Sequence, residues 1–321
     1  MFRLIRVFLF FISNLLLIVF AQSNYPDRAL TMIIPFAPGS GIENVGRVIA
    51  QGMSKRLGQQ IVVVNKPGAA AKVGTEIFLN SPKDGYTLLL LVPANAVNIP
   101  ALSEKPSFDT TKDMTVLSKL VTYNYILVMN ASFPIKTVTE LILYAKSNPG
   151  KLTFGSSGIA SATHLLFETF ANSTQIRLTH IPYQGEPLAM NDLLAGRIDI
   201  MFVTSSSKQF IEVGKIKALA IQGQTRLALF KDTPTFEENS IKGLTSSPWI
   251  GLATSKGLPQ LVFDTLWNAL MNTLTDDSII KTLIDTGFQP ITQRPEEFEA
   301  DIKNEIKNIQ YLNKNIRIKL D

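Results

Sequence analysis

Residues 30–49 read LTMIIPFAPGSGIENVGRVI, and this stretch decides the fold that the rest of the chain is predicted to adopt. Leu30–Ile34 is a run of strand-forming residues, and the segment from Ile42 to Ile49 shows apolar residues at helical spacing. Glycines 39 and 41 allow the connecting backbone to turn sharply and to come close to a ligand. A strand, a glycine-containing loop and a helix N-terminus can together hold an anion through N–H groups and the helix dipole. The same pattern also occurs in plain strand-to-helix connections, so this stretch alone leaves both interpretations open.

The first 21 residues have the pattern of a secretory signal peptide. Arg3 and Arg6 precede an apolar run from Val7 to Phe20, and residues 19–21 are small or apolar where a signal peptidase would cleave. The run is shorter than the ~20 residues that span a bilayer comfortably, which favours cleavage over an uncleaved anchor. We therefore predict a signal peptide over residues 1–21 and an exported, soluble mature protein.

Composition excludes several classes of protein. The 321 residues include no cysteine, which excludes a disulfide scaffold, a thiolate metal site, a cysteine nucleophile and a lipid-modified cysteine anchor. The formal net charge is +5, but no basic run is interleaved with aromatic residues, so we expect no nucleic-acid partner. A mature chain of roughly 300 residues without disulfides is more easily stabilised as two lobes than as one.

Strand and helix patterns alternate along the first third of the chain. Strands are predicted at Ile61–Val64 and Tyr86–Val92, and helices at Glu43–Leu57 and about Lys72–Asn80. Strands that are apolar on both faces indicate a parallel sheet covered by helices on both sides. Because ligands bind beyond the carboxyl ends of such strands, the loops that follow these strands should form one rim.

A second unit repeats this arrangement from about Val121 onwards. Its predicted strand Leu152–Phe154 leads into the loop GSSGIAS, residues 155–161, and then into another helix. Further strands are predicted at 177–182 and 199–202, so this unit should have its own rim of small residues.

The last three predicted helices have no strands of their own. They cover residues 260–274, 277–286 and 295–312, and we expect them to pack on the first sheet. This predicts a discontinuous first lobe, residues 25–120 and 252–321, and a second lobe, residues 121–251. The two connections between lobes would act as a hinge.

The chemistry of the predicted rims favours binding over catalysis. A serine hydrolase would need Ser156 or Ser157 with His164, but Gly-Ser-Ser-Gly is not a nucleophile elbow and no acid is placed to orient the histidine. His, Asp and Glu show no metal-ligand spacing, and the glycines at 39 and 41 fit neither a P-loop nor a dinucleotide motif. We expect no metal and no cofactor. Rims rich in Gly, Ser, Thr, Asn and Ala suit a small carboxylate.

Six motifs, in order along the chain, resemble those of the substrate-binding proteins of tripartite tricarboxylate transporters, the Bug family. They are YPDR (25–28) followed by PFAPGSG (35–41), then NKPGA (65–69), PKDGYTL (82–88), FGSSG (154–158), HIPYQG (180–185) and PEEF (295–298). The resemblance covers essentially the whole mature chain. It implies an α/β, two-lobed periplasmic binding protein fold of type II. Each lobe would be a mixed, mainly parallel sheet flanked by helices, with the ligand cleft between the lobes.

The resemblance also implies what the protein does. The implied function is that of a non-catalytic periplasmic protein, which captures a small organic acid and delivers it to a membrane permease made of one large and one small subunit. We expect a monomer. Two other classes stay open, a ligand-sensing protein that signals to a membrane partner and the serine hydrolase described above.

Carried over by position, the resemblance places ligand contacts in both lobes. The implied residues are Phe36, Ala37, Pro38, Gly39, Ser40, Gly41, Gly68 and Ala69 in the first lobe and Ser156, Ser157, Ser161, His164, Tyr183 and Thr204 in the second.

This chain departs from the family pattern at three places. Ile42 and Glu43 replace a threonine and an aspartate, and Ala70 and Ala71 replace two glycines. Val203 stands where many members carry an aspartate, which favours a plain organic acid over an amino acid as the ligand.

Overall fold

Two separate sheets organise the computed structural model, which describes residues 25–316. The predicted signal peptide therefore lies outside the described residues. The strands are β1 (Leu30–Ile34), β2 (Ile61–Asn65), β3 (Thr87–Leu91), β4 (Met114–Thr122), β5 (Ile126–Asn130), β6 (Thr153–Ser156), β7 (Thr179–Pro182), β8 (Ile200–Val203), β9 (Ile216–Ile221), β10 (Trp249–Ser255) and β11 (Gln289–Pro290). The first sheet has the order β11-β4-β10-β3-β1-β2 and the second β7-β6-β8-β5-β9. The first sheet and its helices form the first lobe, and the second sheet and its helices form the second.

Helices flank both sheets. The longer ones are α1 (Gly41–Leu57), α2 (Lys72–Leu79), α3 (Val138–Ser147), α4 (Ala162–Thr174), α5 (Glu186–Leu194), α6 (Gln260–Leu274), α7 (Asp277–Asp285) and α8 (Pro295–Ile316). Shorter helical turns occupy Ala69–Ala71, Ala94–Asn98, Ile99–Leu102, Thr110–Asp113, Ser205–Ser207, Lys208–Glu212 and Ala228–Phe230. Within residues 25–316, none of the helices is long and apolar enough to cross a membrane.

The opening stretch folds as its pattern predicts. β1 is buried on both faces, with Met32 packed in one core cluster and Ile33 in another, as expected for successive residues that point to opposite faces. α1 starts after the N-cap Ser40 and ends at Gly58, whose φ of 66° suits a glycine C-cap. A β-carbon at Gly46 would lie 2.5 Å from Ile34 Cδ1, so this glycine lets α1 pack closely on β1.

Both sheets are mixed, as predicted, but antiparallel pairing is more extensive than expected. β1 pairs in parallel with β2 and β3, and β6 pairs in parallel with β7 and β8. The other five ladders among the described residues are antiparallel. Each of these antiparallel ladders includes β4, β5 or β10, the strands next to the connections between the lobes.

Three strands, β4, β9 and β11, were not predicted from the sequence. β4 carries Ser118 and Lys119 in a buried strand, which breaks the apolar pattern. Tertiary contacts satisfy both residues, because Ser118 Oγ donates to Gln293 O at 2.9 Å and Lys119 Nζ pairs with Asp301 at 2.9 Å. The expectation that the last three helices bring no strand was wrong, since β11 lies between α7 and α8 and extends the first sheet beside β4.

The two connections between the lobes are hydrogen-bonded side by side. Tyr123 N donates to Pro248 O at 3.0 Å, and Gln222 N donates to Tyr125 O at 2.8 Å. The hydroxyl groups of Tyr123 and Tyr125 are 3.1 Å apart. Paired connections of this kind can act as a hinge between lobes.

Candidate functional site

Loops from both lobes line a cleft of about 390 Å³, a size that suits a small organic molecule. All of these loops follow the carboxyl ends of strands, as the sequence predicts. The lining residues are Pro35, Phe36, Pro67, Gly68, Ala69, Ala70, Ala71, Lys72, Ile99 and Ser103 in the first lobe, and Ser157, Gly158, Ile159, Pro182, Tyr183 and Gln184 in the second.

The first lobe presents the N-terminus of α1 to the other lobe. Ser40 Oγ accepts a hydrogen bond from Glu43 N at 3.1 Å, which makes Ser40 the N-cap. The Glu43 carboxylate is buried, accepts from Gly39 N at 3.4 Å and pairs with Arg47. Glu43 therefore stabilises its own helix start. These caps leave the first N–H groups of α1, at Gly41 and Ile42, without a hydrogen-bond partner in the described chain.

The second lobe repeats this arrangement at the N-terminus of α4. Ser161 Oγ accepts from His164 N at 3.2 Å and is the N-cap of this helix. Ala160 N donates to His164 Nδ1 at 3.0 Å, and Ser157 N donates to Thr163 Oγ1 at 3.0 Å. The loop between β6 and α4 is thus hydrogen-bonded to the first turn of the helix that follows it.

The two helix N-termini meet at a small chamber of about 20 Å³. Its walls include Ile42 from α1 and Ala162 and Thr163 from α4. Phe36 and Ser157 line both the chamber and the cleft, so the two spaces adjoin. The positive ends of two helix dipoles therefore face one space from opposite lobes, which favours an anion there.

The lobes are in contact around this chamber. Asn98 Nδ2 in the first lobe donates to Ala160 O in the second at 3.1 Å. A β-carbon at Gly41 would lie 2.6 Å from Thr204 Oγ1 of the second lobe, so the absence of a side chain at 41 allows this approach. The structure is therefore that of a closed arrangement.

The predicted pairing of His164 with a serine is not formed. Ser156 Oγ lies 2.6 Å from His180 Nε2, whereas His164 Nε2 faces Glu168 at 3.6 Å. The two imidazole rings stack with their centroids 4.1 Å apart. Burial, followed by the neighbouring His164, lowers the pKa of His180 to about 4. Ser156 is only 2% exposed, so its hydroxyl is inaccessible to a substrate.

Glu186 is a second-lobe residue that the sequence analysis missed. Its carboxylate accepts from Ser207 Oγ at 2.9 Å and from the N–H and hydroxyl of Thr204 at 3.3 Å. Burial raises the pKa of Glu186 to about 7, although these hydrogen bonds oppose the rise. The signal in the sequence is an acid directly after Gly185, at the start of a helix.

The structure places the predicted site residues at different depths. Phe36, Gly68, Ala69, Ser157 and Tyr183 line the cleft, and Ser161 lines the chamber with Phe36 and Ser157.

The other predicted residues lie outside both spaces. Gly39, Ser40 and Gly41 form the turn into α1, and Ala37 lies against Gly185 while Pro38 is exposed. Ser156 and His164 lie behind the loop that carries Ser157, and Thr204 is buried between Gly41 and Glu186.

Metal binding finds no support in the part of the chain that the structure describes. No three His, Asp or Glu side chains there are grouped so that they could hold an ion.

Two α/β lobes joined by paired connections, with a cleft at the strand ends, are the architecture of the periplasmic solute-binding proteins. The family model described as tripartite tricarboxylate transporter family receptor matches residues 45–318, and the chain belongs to this family. The Bug-family resemblance is thereby confirmed. Members of the family bind solutes without transforming them, so the chain is a binding protein and not a serine hydrolase.

Solved structures resemble the whole described chain. The periplasmic binding protein BugD is 30% identical with a TM-score of 0.87 over 92% of this chain and 99% of its own. A protein of R. palustris with adipate is 26% identical with a TM-score of 0.87, over 92% of this chain and 99% of its own. MatC from Rhodopseudomonas palustris with bound malate is 26% identical with a TM-score of 0.83, over 90% and 99%.

Proposed function

We propose that this protein captures a small organic carboxylate between its two lobes in the periplasm and delivers it to a tripartite membrane permease. The observation that carries this proposal is the chamber at which the N-termini of α1 and α4 meet from opposite lobes. Similar proteins with adipate and with malate support a carboxylate as the ligand. Delivery to a permease is preferred over signalling because the matching family model is that of a transporter receptor.

One carboxylate of the ligand would occupy the chamber and accept hydrogen bonds from both helix N-termini. The chamber of about 20 Å³ has room for roughly one water molecule and not for a carboxylate, so it must widen when the ligand binds, as the lobes move relative to each other. The paired connections at Tyr123 and Pro248 would flex in this motion. We propose the lobe boundaries predicted from the sequence, residues 25–120 with 252–321 and residues 121–251, as the two moving parts.

The ligand contacts proposed from sequence divide into two groups. Ser157, Ser161 and Phe36 would surround the bound carboxylate, and Gly68, Ala69 and Tyr183 would contact the rest of the molecule. Gly39, Ser40 and Gly41 would supply the backbone turn, whereas Ser156, His164 and Thr204 would support the rims from behind.

Export to the periplasm would depend on the signal peptide predicted at residues 1–21. Removal of these residues is expected to leave the protein in the cytoplasm, which fractionation of cells followed by immunoblotting would reveal. A full-length protein found in the cytoplasm would contradict the assignment.

Titration calorimetry with mono-, di- and tricarboxylates tests the proposed function. We expect one ligand per chain for at least one carboxylate, and no binding of the matching amide, because an amide carries no charge for the helix dipoles to stabilise. No heat from any carboxylate, with a folded protein verified by circular dichroism, would overturn the proposal.

A further inference from the structure

Lys72 is the one charged side chain among the described residues that line the cleft. It is the first residue of α2 and is half-buried at the wall that the first lobe contributes. The other lining residues are apolar, small or uncharged polar, so Lys72 supplies the one formal charge among the described residues at this wall.

Within residues 25–316 Lys72 enters no salt bridge with an acid. The nearest acid along its helix is Glu76, one turn further on, whose Oε1 accepts from Ser107 Oγ at 2.7 Å. The N-terminus of α2 adds its own positive end at Lys72. An unneutralised cation on a cavity wall favours an anionic group of a ligand.

The backbone in front of Lys72 is held in an unusual conformation. Ala69, Ala70 and Ala71 have φ values of 44°, 50° and 81°, in the left-handed region that residues with a side chain seldom adopt. All three line the cleft, and α2 begins directly after them. This loop fixes the position of Lys72 at the wall of the cleft.

Apolar walls separate Lys72 from the chamber. Phe36 lines both spaces, and Ile99, Ile159 and Tyr183 continue the wall of the cleft. A molecule with one carboxylate in the chamber would therefore pass an apolar surface before it reached the positive charge.

We propose that Lys72 binds the second carboxylate of a dicarboxylate whose first carboxylate lies between the N-termini of α1 and α4 and whose middle is a hydrocarbon chain. This inference rests on the proposed function and adds to it the residue that selects a ligand with a second carboxylate. A monocarboxylate of the same length would fill the same apolar surface but would leave Lys72 without a counter-ion.

Calorimetry with pairs of acids of equal carbon number tests the inference. The pairs are the straight-chain diacids and monoacids with four to about seven carbons, and the proteins are the wild type, Lys72→Gln and Lys83→Gln. Lys83 is exposed in the turn before β3, at the other end of the strands from the cleft, so its replacement removes the same charge without touching the site.

We expect the wild type to prefer the diacid of the best pair by roughly tenfold or more, the usual strength of a hydrogen bond to a charged group. Lys72→Gln should abolish most of this preference by weakening diacid binding alone, and Lys83→Gln should keep it. Raising the salt concentration should reduce the preference of the wild type and leave that of Lys72→Gln unchanged.

Two results would overturn the inference while the proposed function stands. They are equal affinity of the wild type for both members of every pair, and a preference that survives in Lys72→Gln. No binding of any acid to the wild type would instead overturn the proposed function and this inference with it. Equal melting temperatures of the three proteins would show that the variants are folded.

Discussion

At the scale of single residues, Ala69 is an alanine in a backbone conformation that favours glycine. It is exposed and has a φ of 44°, a conformation that costs an alanine about 1 kcal/mol or more. Ala69→Gly should therefore raise the free energy of unfolding by about 1 kcal/mol, measured by denaturant unfolding.

The matched control is Ala300→Gly, at an exposed position inside α8. Glycine is there expected to lower the free energy of unfolding by about 1 kcal/mol, because it favours the unfolded chain. Destabilisation by both replacements would show that the loop is not strained at residue 69.

Because of Glu186, the free energy of unfolding should fall as the pH rises. Its pKa is raised from 4.5 to about 7 in the folded protein, chiefly by burial. Below about pH 4.5 the carboxyl is protonated in both the folded and the unfolded protein, and its contribution to the free energy of unfolding is then at its maximum. As the pH rises from 4.5 to 7 the unfolded state ionises first, and stability on the order of 2–3 kcal/mol is lost.

Glu186→Gln should therefore be more stable than the wild type at pH 8 and equally stable near pH 4. Chemical denaturation at a series of pH values measures the difference. An advantage of the wild type at pH 8 would mean that the ionised carboxylate is stabilised by its hydrogen bonds to Thr204 and Ser207. Since burial and a stacked neighbour lower the pKa of His180, that residue contributes the opposite slope, which Glu186→Gln leaves unchanged.

At the scale of secondary-structure elements, α1 joins the fold to the site. Its apolar face and its terminal glycine could be predicted, because each is a local signal, whereas its start at Gly41 after the cap Ser40 lies two residues before the predicted start at Glu43. β4 could not, since Lys119 looks like a surface residue until Asp301 of α8 is placed beside it. Local patterns thus predicted the elements that build the rims, and the strands defined by distant partners were missed.

Gly41 at the start of α1 should control closure of the lobes. A methyl group there would lie 2.6 Å from Thr204 Oγ1 and 3.2 Å from Phe288 Cζ, closer than packed atoms allow. Gly41→Ala should keep the lobes apart and weaken carboxylate binding by about tenfold or more, because the contacts between the lobes around Gly41 would be lost. Small-angle scattering should show a larger radius of gyration in the presence of ligand.

The double variant Gly41→Ala/Thr204→Ala should recover part of the affinity, because the nearest clashing atom is gone. Alanine also favours a helix over glycine, so a fall in melting temperature is not expected. Unchanged affinity in Gly41→Ala would show that the lobes do not close on Gly41 when ligand binds.

At the scale of the whole molecule, the two lobes and the rim between them followed from the order of strands and small-residue loops. The motif resemblance supplied the family, and the family match confirms it. The two charged residues now given the most weight, Lys72 and Glu186, were missed because each begins a helix. For a charged residue at such a position, the sequence alone does not show whether the side chain faces solvent, a cavity or the other lobe.

The central claim is that a ligand carboxylate lies between the N-termini of α1 and α4. A crystal structure with a bound dicarboxylate tests it most directly. We predict one carboxylate within hydrogen-bonding distance of the N–H groups at Ile42 and Thr163, and the other beside Lys72. A ligand whose carboxylates both lie outside the space between these two helices would contradict it.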